Sequence, residues 1–193
     1  MSEMVLESPL AGITRLGQRL LQVDGQSCTL GEIPFVEMLN VRGDARDAGF
    51  VQALLAATGL HLPVAPNTAS LGEQRQLLWM GPDEWLLKLQ DGQGAAVEAA
   101  LRQGLQGRHH SLVQVGDGNT TLTVQGAAAA DLLSRGCPLD LHPRAFGSGA
   151  LAQTHVAKAG AMVLCRAAGT HFELTVRRSF ADYLYRWLCE AGD

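Results

Sequence analysis

"LLWMGPDEWLLKL" at 77–89 and "VLCRAAGTHFELTV" at 163–176 decide how this chain folds. Each reads as a strand, a turn and an aromatic-led strand, because two apolar runs flank a short break containing Gly. A second pattern also occurs twice. "VRGDARDAGFVQALLAATG" at 41–59 and "VQGAAAADLLSRG" at 124–136 both read strand, Gly, helix, Gly. The offsets agree: Gly43 to Gly126 is 126 minus 43, or 83; Leu78 to Leu164 is 86; Trp85 to Phe172 is 87. The spacing predicts two pseudo-repeated β-α-β-β-α units, an α+β fold with mainly antiparallel sheets. Either unit alone has too little core, and pairing their sheets buries one continuous core.

Outward from these stretches, the alternation in "PFVEMLNVRG" predicts a strand near 35–42. A helix follows, with Asp44 as its N-cap, Asp47 three residues on, and Gly59 as its stop. Strands are expected at 75–80 and 84–90, then a helix over Gly94–Gly107. Strands near 111–115 and 120–124 flank "GDGN", which reads as a hairpin turn. Strand-like runs at 150–156, 161–167 and 171–177 lead to a last helix, with Ser179 as N-cap. Residues 1–34 show weak periodicity and carry several Gly and Pro, so they read as an extended arm with a short hairpin at Asp24-Gly25. The organisation expected is this arm followed by a single domain over 35–193, in halves of about 35–107 and 108–193.

The chain has 193 residues, 47% of them hydrophobic and 18% charged, which is the composition of a globular soluble protein. Its net charge of -4 gives no reason to expect nucleic acid. Glu3, Glu7, Arg15 and Arg19 interrupt any early apolar run, so neither a signal peptide nor a membrane span is expected, and the location expected is the cytoplasm. Cys28, Cys137, Cys165 and Cys189 are scattered without a C-x-x-C pair, and read as small core residues rather than as disulfides or zinc ligands.

Motifs for chemistry are weak. "GSGALA" at 147–152 lacks a following helix. "DGQGAAV" at 91–97 has the right context, but Val97 is too large for the third position of a dinucleotide fingerprint. Asp83 and Glu84 point to different sides of a turn, and His109-His110 has no further ligand at metal spacing. "GCPLDLHPRAF" at 136–146 resembles a catalytic kit, with Cys137, Asp140, His142 and Arg144. By position it is a stiff connector, because Pro138 and Pro143 fix φ and remove backbone donors. Leu139 and Leu141 are expected to pack inward. Asp140, His142 and Arg144 are expected to bond backbone groups or a partner.

The last helix puts Phe180, Leu184, Trp187 and Leu188 on one face, flanked by Tyr183 and Tyr185. One reading is deep packing on the sheet. The sharper reading is a partner interface of Arg177, Arg178, Phe180, Tyr183, Tyr185 and Trp187, joined by His142 and Arg144, since aromatics and Arg make interface anchors.

"GCPLDLHPRAF", "AQTHVAKAG" at 152–160 and "FELTVRRSFADYLYRWL" at 172–188 together resemble the gamma subunit of heterotetrameric sarcosine oxidase. "LLWMGPDEWLLKL" looks like that family's first-half hairpin, and "SPLAG" at 8–12 matches more loosely. "VQVGDGNTT" at 113–121 departs from a more polar, Asp/Ser-rich hairpin. The family is related in fold to the folate-binding aminomethyltransferase of glycine cleavage. The resemblance implies a bacterial complex that oxidatively demethylates sarcosine to glycine, passing the one-carbon unit to tetrahydrofolate and electrons to oxygen. It further implies alpha, beta and delta partners, with FAD, FMN, NAD and tetrahydrofolate on those other subunits and no cofactor on this chain. This chain is then an assembly subunit, with no catalytic or metal-binding residue assigned. The alternative is a stand-alone folate-binding or aminomethyltransferase-like module, for which Glu37 or Glu173 would supply the carboxylate.

Overall fold

The computed structural model describes residues 7–13, 18–90 and 92–192. In chain order the elements are β1 (Arg19–Val23), β2 (Gln26–Ile33), β3 (Glu37–Arg42), α1 (Ala48–Thr58), β4 (Ala69–Leu71), β5 (Arg75–Gly81), β6 (Glu84–Leu89), α2 (Gly94–Gly104), β7 (Ser111–Gln114), β8 (Asn119–Gly126), α3 (Ala129–Ser134), β9 (Leu151–Val156), β10 (Ala159–Ala167), β11 (His171–Arg177) and α4 (Arg178–Gly192). Both opening stretches form antiparallel hairpins. Leu78 pairs with Leu86 and Trp79 with Trp85 in β5–β6. Leu164 pairs with Glu173 and Cys165 with Phe172 in β10–β11. Each hairpin shifts register near its turn, between Trp79 and Gly81 and between Cys165 and Ala167.

The hairpins organise two sheets, with orders β4-β5-β6-β3-β7 and β1-β2-β8-β11-β10-β9. All pairings are antiparallel, which agrees with the mixed, antiparallel class read from the sequence. The chain crosses between the sheets twice. β2 precedes β3 in the chain but pairs with β8, and β7 precedes β8 but pairs with β3. This corrects the expected 111–124 hairpin. Gly116–Gly118 forms a 3-10 turn that carries the chain from one sheet to the other, so β7 and β8 are not neighbours. Period-2 patterning identifies a strand but not its partner.

The arm expected over 1–34 contains β1 and β2, which turn at Asp24 and Gly25 and extend the six-stranded sheet. Residues 1–6 and 14–17 of that stretch lie outside the described residues. The hairpin at Asp24-Gly25 is present, with φ of 49° and 81°, values that suit Asp and Gly. Thr68 and Ala150 form an isolated bridge that joins the β4 and β9 edges of the two sheets.

Each sheet packs helices on one face and the other sheet on its second face. Leu39, Trp85, Leu87 and Val97 belong to the cluster between the five-stranded sheet and α1 and α2. Leu122, Phe172, Leu184 and Leu188 belong to the one under α3 and α4. Met38, Leu78, Leu86, Leu151 and Leu164 meet between the sheets. All four cysteines are buried, and none is in a disulfide. Burial pushes the thiols of Cys28, Cys137 and Cys165 above their ordinary value, away from the reactive thiolate.

Helix ends differ from the sequence reading. Asp47, not Asp44, caps α1 by accepting from the Gly49 amide at 2.8 Å, while Asp44 turns to the Arg46 amide at 2.9 Å. Both residue types cap well, so only the local turn selects between them. Gly59 ends α1 with φ 72°, as expected. α2 stops at Gly104 rather than Gly107. α4 begins at Arg178, directly after β11, so Ser179 lies inside its first turn rather than capping it. The β11 ladder continues to Arg177, opposite Asn119, and leaves no room for a separate cap.

Gly126 sits where β8 leaves the sheet beside β2, with φ 136°. A Cβ there would lie 2.6 Å from the Ser27 carbonyl oxygen and 2.7 Å from Cys28 Cα, both backbone atoms. Gly126→Ala is therefore expected to destabilise the chain by about 1–3 kcal/mol, measured by urea unfolding. A loss below a few tenths of that range would mean β2 can move aside.

Candidate functional site between the sheets

The inter-sheet face is apolar at its centre and ionic at one end. Alternation along "EWLLKL" sends Trp85, Leu87 and Leu89 to the helices, and Leu86 and Lys88 to the opposite sheet. The Lys88 ammonium lies 2.8 Å from Glu173 Oε2, and the two side chains are only 3% and 5% exposed. Gln76 Nε2 donates to both Glu173 oxygens, at 2.9 and 3.0 Å. Arg166 Nε lies 3.5 Å from Glu173 Oε1. One carboxylate from β11 thus draws donors from β5, β6 and β10.

Burial alone would raise the Glu173 carboxyl, but Lys88, Arg166 and Gln76 outweigh it and hold the group below its usual value. Burial pulls the Lys88 ammonium down from its ordinary value, against the opposing pull of Glu173. His171 lies at the edge of this cluster, with Nε2 3.1 Å from Thr123 Oγ1, and burial pushes its imidazole down. A cavity of about 380 Å³ opens beside these groups, lined by Gln76, Lys88, Arg166 and Glu173 with Ile33 and Pro34.

Of the two carboxylates the sequence offers for a folate-type site, Glu173 is at the centre of this cluster. Glu37 does something else: its Oε2 accepts from the Gly94 amide at 2.6 Å, at the start of α2. The helix start in "DGQGAAV" is thereby filled by the chain's own carboxylate, in the place a phosphate takes in a dinucleotide fold. Among the described residues no group of His, Cys, Asp and Glu is arranged to hold a metal ion.

The connector "GCPLDLHPRAF" behaves as its prolines and alternation suggest. Leu141 is buried, and Leu139 packs against the same core. Asp140 Oδ1 accepts from the His142 amide at 3.0 Å, and His142 Nδ1 accepts from the Arg144 amide at 3.2 Å. Asp140, His142 and Arg144 are exposed and serve local turns, whereas Cys137 is buried apart from them.

The last helix needs one correction. Tyr185 is only 5% exposed and packs into the core under the six-stranded sheet, so it cannot anchor a partner. Trp187 is partly buried, and a Cβ on Gly136 would lie 2.3 Å from its ring. Phe180 and Tyr183 do face solvent, at 43% and 36%, in an edge-to-face pair with ring centres 6.5 Å apart. Arg178 donates to the Glu7 carbonyl at 2.6 Å, and Arg177 is exposed.

Sequence reasoning missed Lys88, Arg166 and Gln76. Lys88 did leave a signal: it is the one charged residue in the apolar run from Trp85 to Leu89, at a position with the parity of Leu86. Its partner was not visible, because 85 residues separate Lys88 from Glu173.

Glu173→Gln leaves Lys88 buried without its counter-charge and is expected to cost about 3–5 kcal/mol in urea unfolding. The double change Lys88→Met with Glu173→Leu should cost clearly less, since two apolar groups replace the pair. A double variant as unstable as the single would show that packing, not charge, is at stake. The pH dependence has a definite sign. A carboxyl held below its unfolded value contributes stability that is present above the usual Glu range and lost as pH falls through the lowered value. Glu173→Gln should remove that part of the acid slope.

Residues 42–193 match the family model described as "Sarcosine oxidase, gamma subunit family". The chain is 30% identical to a sarcosine oxidase subunit gamma of Corynebacterium sp. (strain U-96) over 98% of its own length and 91% of the relative's. A sarcosine oxidase subunit gamma of an Arthrobacter species is 32% identical over 90% and 87%. In three dimensions the chain is similar to one in heterotetrameric sarcosine oxidase from Corynebacterium sp. U-96, with a TM-score of 0.86 at 28% identity, covering 96% of this chain and 94% of that one. It also shares its fold with the glycine cleavage aminomethyltransferase T of Bartonella henselae, with a TM-score of 0.64 at 16% identity, covering 95% of this chain and 57% of that one. Matches of this extent in both sequence and backbone leave one assignment: the chain belongs to the sarcosine oxidase gamma subunit family.

Proposed function

We propose that this chain is the structural, assembly-supporting gamma subunit of a heterotetrameric sarcosine oxidase in the cytoplasm, with alpha, beta and delta chains as partners. The complex oxidatively demethylates sarcosine to glycine and passes the one-carbon unit to tetrahydrofolate. FAD, FMN, NAD and tetrahydrofolate reside on the other subunits. The carrying observation is the 0.86 TM-score match over 96% of this chain to a chain of a heterotetrameric sarcosine oxidase. An assembly role is further supported by what the polar groups do within the chain. Glu173 is engaged by Lys88 and Gln76, and Glu37 by the start of α2, which argues against a stand-alone folate module built on either carboxylate.

The repeat belongs to the same proposal. Two β-α-β-β-α units paired face to face account for the matching sheet orders β4-β5-β6-β3 and β9-β10-β11-β8, and for the matching register shifts in the two hairpins. On this reading the chain is a degenerate two-unit module kept for its shape. Its partner surface is the exposed aromatic pair Phe180 and Tyr183, with Arg177 at the end of β11, Arg178 at the start of α4, and His142 and Arg144 on the connector.

Co-expression with the alpha, beta and delta chains is expected to yield a stable complex, and Phe180→Ala with Tyr183→Ala to reduce the recovered gamma chain at least about tenfold, as for an interface hot spot. A chain that elutes alone beside its candidate partners sinks the assignment. His142→Ala should lower the stability of the connector by about 0.5–1.5 kcal/mol and leave turnover per intact complex unchanged, since the ring only accepts a backbone bond. Loss of turnover in an intact complex would restore a catalytic role to the connector.

A further inference from the structure

The exposed rings of Phe180 and Tyr183 lie on a charged part of the surface. The Lys158 amide donates to the Tyr183 hydroxyl at 3.3 Å, so the turn between β9 and β10 sits at the tip of that ring. Lys158 is exposed, and the only other lysine of the chain is the buried Lys88. Arg177 and Arg178 stand three and two residues before Phe180, where β11 passes directly into α4. The ring pair is thus bounded by Lys158 on one side and by two arginines on the other.

These cations differ from the rest of the exposed ones. Arg42, Arg46, Arg102, Arg108 and Arg135 each meet a carboxylate of the chain itself. Among the described residues, Lys158, Arg177 and Arg178 take part in no ion pair. Arg178 spends a guanidinium nitrogen on the Glu7 carbonyl, a neutral acceptor that leaves the charge in place. Asp182 lies between the two rings in sequence, but Arg186 neutralises it at 2.7 Å. Asp117 lines a cleft with Arg178 and offsets part of one charge. The first turn of α4 carries no acidic residue, so the partial positive charge of the helix start adds to the same field. In a chain with a net charge of -4, this end is locally positive.

Burying such a surface against a neutral or basic segment would strip water from three cations and return nothing for it. We propose that the surface receives an acidic segment of a partner subunit, in which Asp or Glu residues flank an apolar or aromatic side chain. The apolar group seats on Phe180 and Tyr183, and the carboxylates meet Lys158, Arg177 and Arg178. Aromatics and Arg anchor the contact, while the charges speed encounter and fix register. This rests on the reading of the chain as an assembly subunit, and adds the chemistry of what it holds.

The test uses the four-chain complex formed by co-expression. A water-soluble carbodiimide joins an amine to a touching carboxylate as an amide, itself taking up the water as a urea. Mass spectrometry should find Lys158 coupled to an Asp or Glu of another subunit. Lys158→Arg keeps the charge, so it should assemble normally while losing the cross-link. Lys158→Glu with Arg177→Glu should lower the recovered gamma chain at least about tenfold at low salt, through like-charge repulsion. Should that variant melt early, Lys158→Gln with Arg177→Gln removes the charges alone and should still lose about fivefold. Recovery of the wild type should fall as salt rises, and that of the neutralised variant should respond less. Normal assembly of the folded charge variants, or a Lys158 that couples to no carboxylate of another subunit, overturns the acidic segment and leaves the subunit assignment standing. Failure of the wild-type chain to enter any four-chain complex overturns the assignment itself, and the acidic segment with it.

Discussion

Two chain crossings made side by side hold this molecule together. At the first, Pro34, Phe35 and Val36 carry the chain from β2 in one sheet to β3 in the other. At the second, Gly116–Gly118 carries it from β7 back to β8. The crossings touch: the Val115 amide donates to the Met38 carbonyl at 2.8 Å, and a Cβ on Gly116 would lie 3.2 Å from both the Val36 carbonyl oxygen and the Met38 nitrogen. Phe35 takes a left-handed φ of 56° there, a conformation that is costly for a bulky side chain and tolerated because the crossing demands it. Each crossing ties a strand of one sheet to the next strand in the other. The two sheets therefore cannot separate without breaking a ladder, and the inter-sheet face stays closed on its apolar centre.

The buried ionic cluster follows from that closure. Stacking the sheets puts Lys88 of one opposite Glu173 of the other, both out of water. Such a pair is a poor source of net stability, because the desolvation of two charges offsets most of their attraction. What it does supply is discrimination. A strand slipped by one residue would turn Lys88 toward the helices and leave Glu173 without its counter-charge. The apolar contacts of Met38, Leu78, Leu86, Leu151 and Leu164 bring the sheets together, and the pair selects one stacking among those that would bury similar area.

The elements of the fold were largely legible locally. The hairpins around Gly81-Pro82-Asp83 and Gly169 have strong punctuation, and α1 ends at Gly59 as its sequence suggests. The connector at 136–146 was legible from its prolines and alternating leucines. Errors arose where two local solutions compete. "GDGN" suits a hairpin turn, yet the chain uses it to change sheets, because β3 offers β7 an edge and β2 and β11 enclose β8. Tyr185 sits on a helix whose apolar arc was wide enough for either packing or partner contact, and the core under the six-stranded sheet took it. The polar cluster was hardly legible at all. Gln76, Lys88, Arg166 and Glu173 have no shared motif: Lys88 stands out only as a charge in an apolar run and Glu173 only as a candidate carboxylate, and nothing local ties the two together.

By itself the sequence determined most strands and helices from residue 35 onward and the position of most turns. It did so because those features depend on side-chain period and on Gly, Pro and Asp at short range. Only the tertiary structure decided which strands pair, which sheet receives β2 and β7, and which charges meet between the sheets. Those outcomes depend on contacts between residues some 80 to 100 positions apart, such as Lys88 with Glu173 and Leu30 with Val124. No local pattern encodes such a contact: it exists only once two apolar faces have closed on each other and left the remaining polar groups to find partners in the space between.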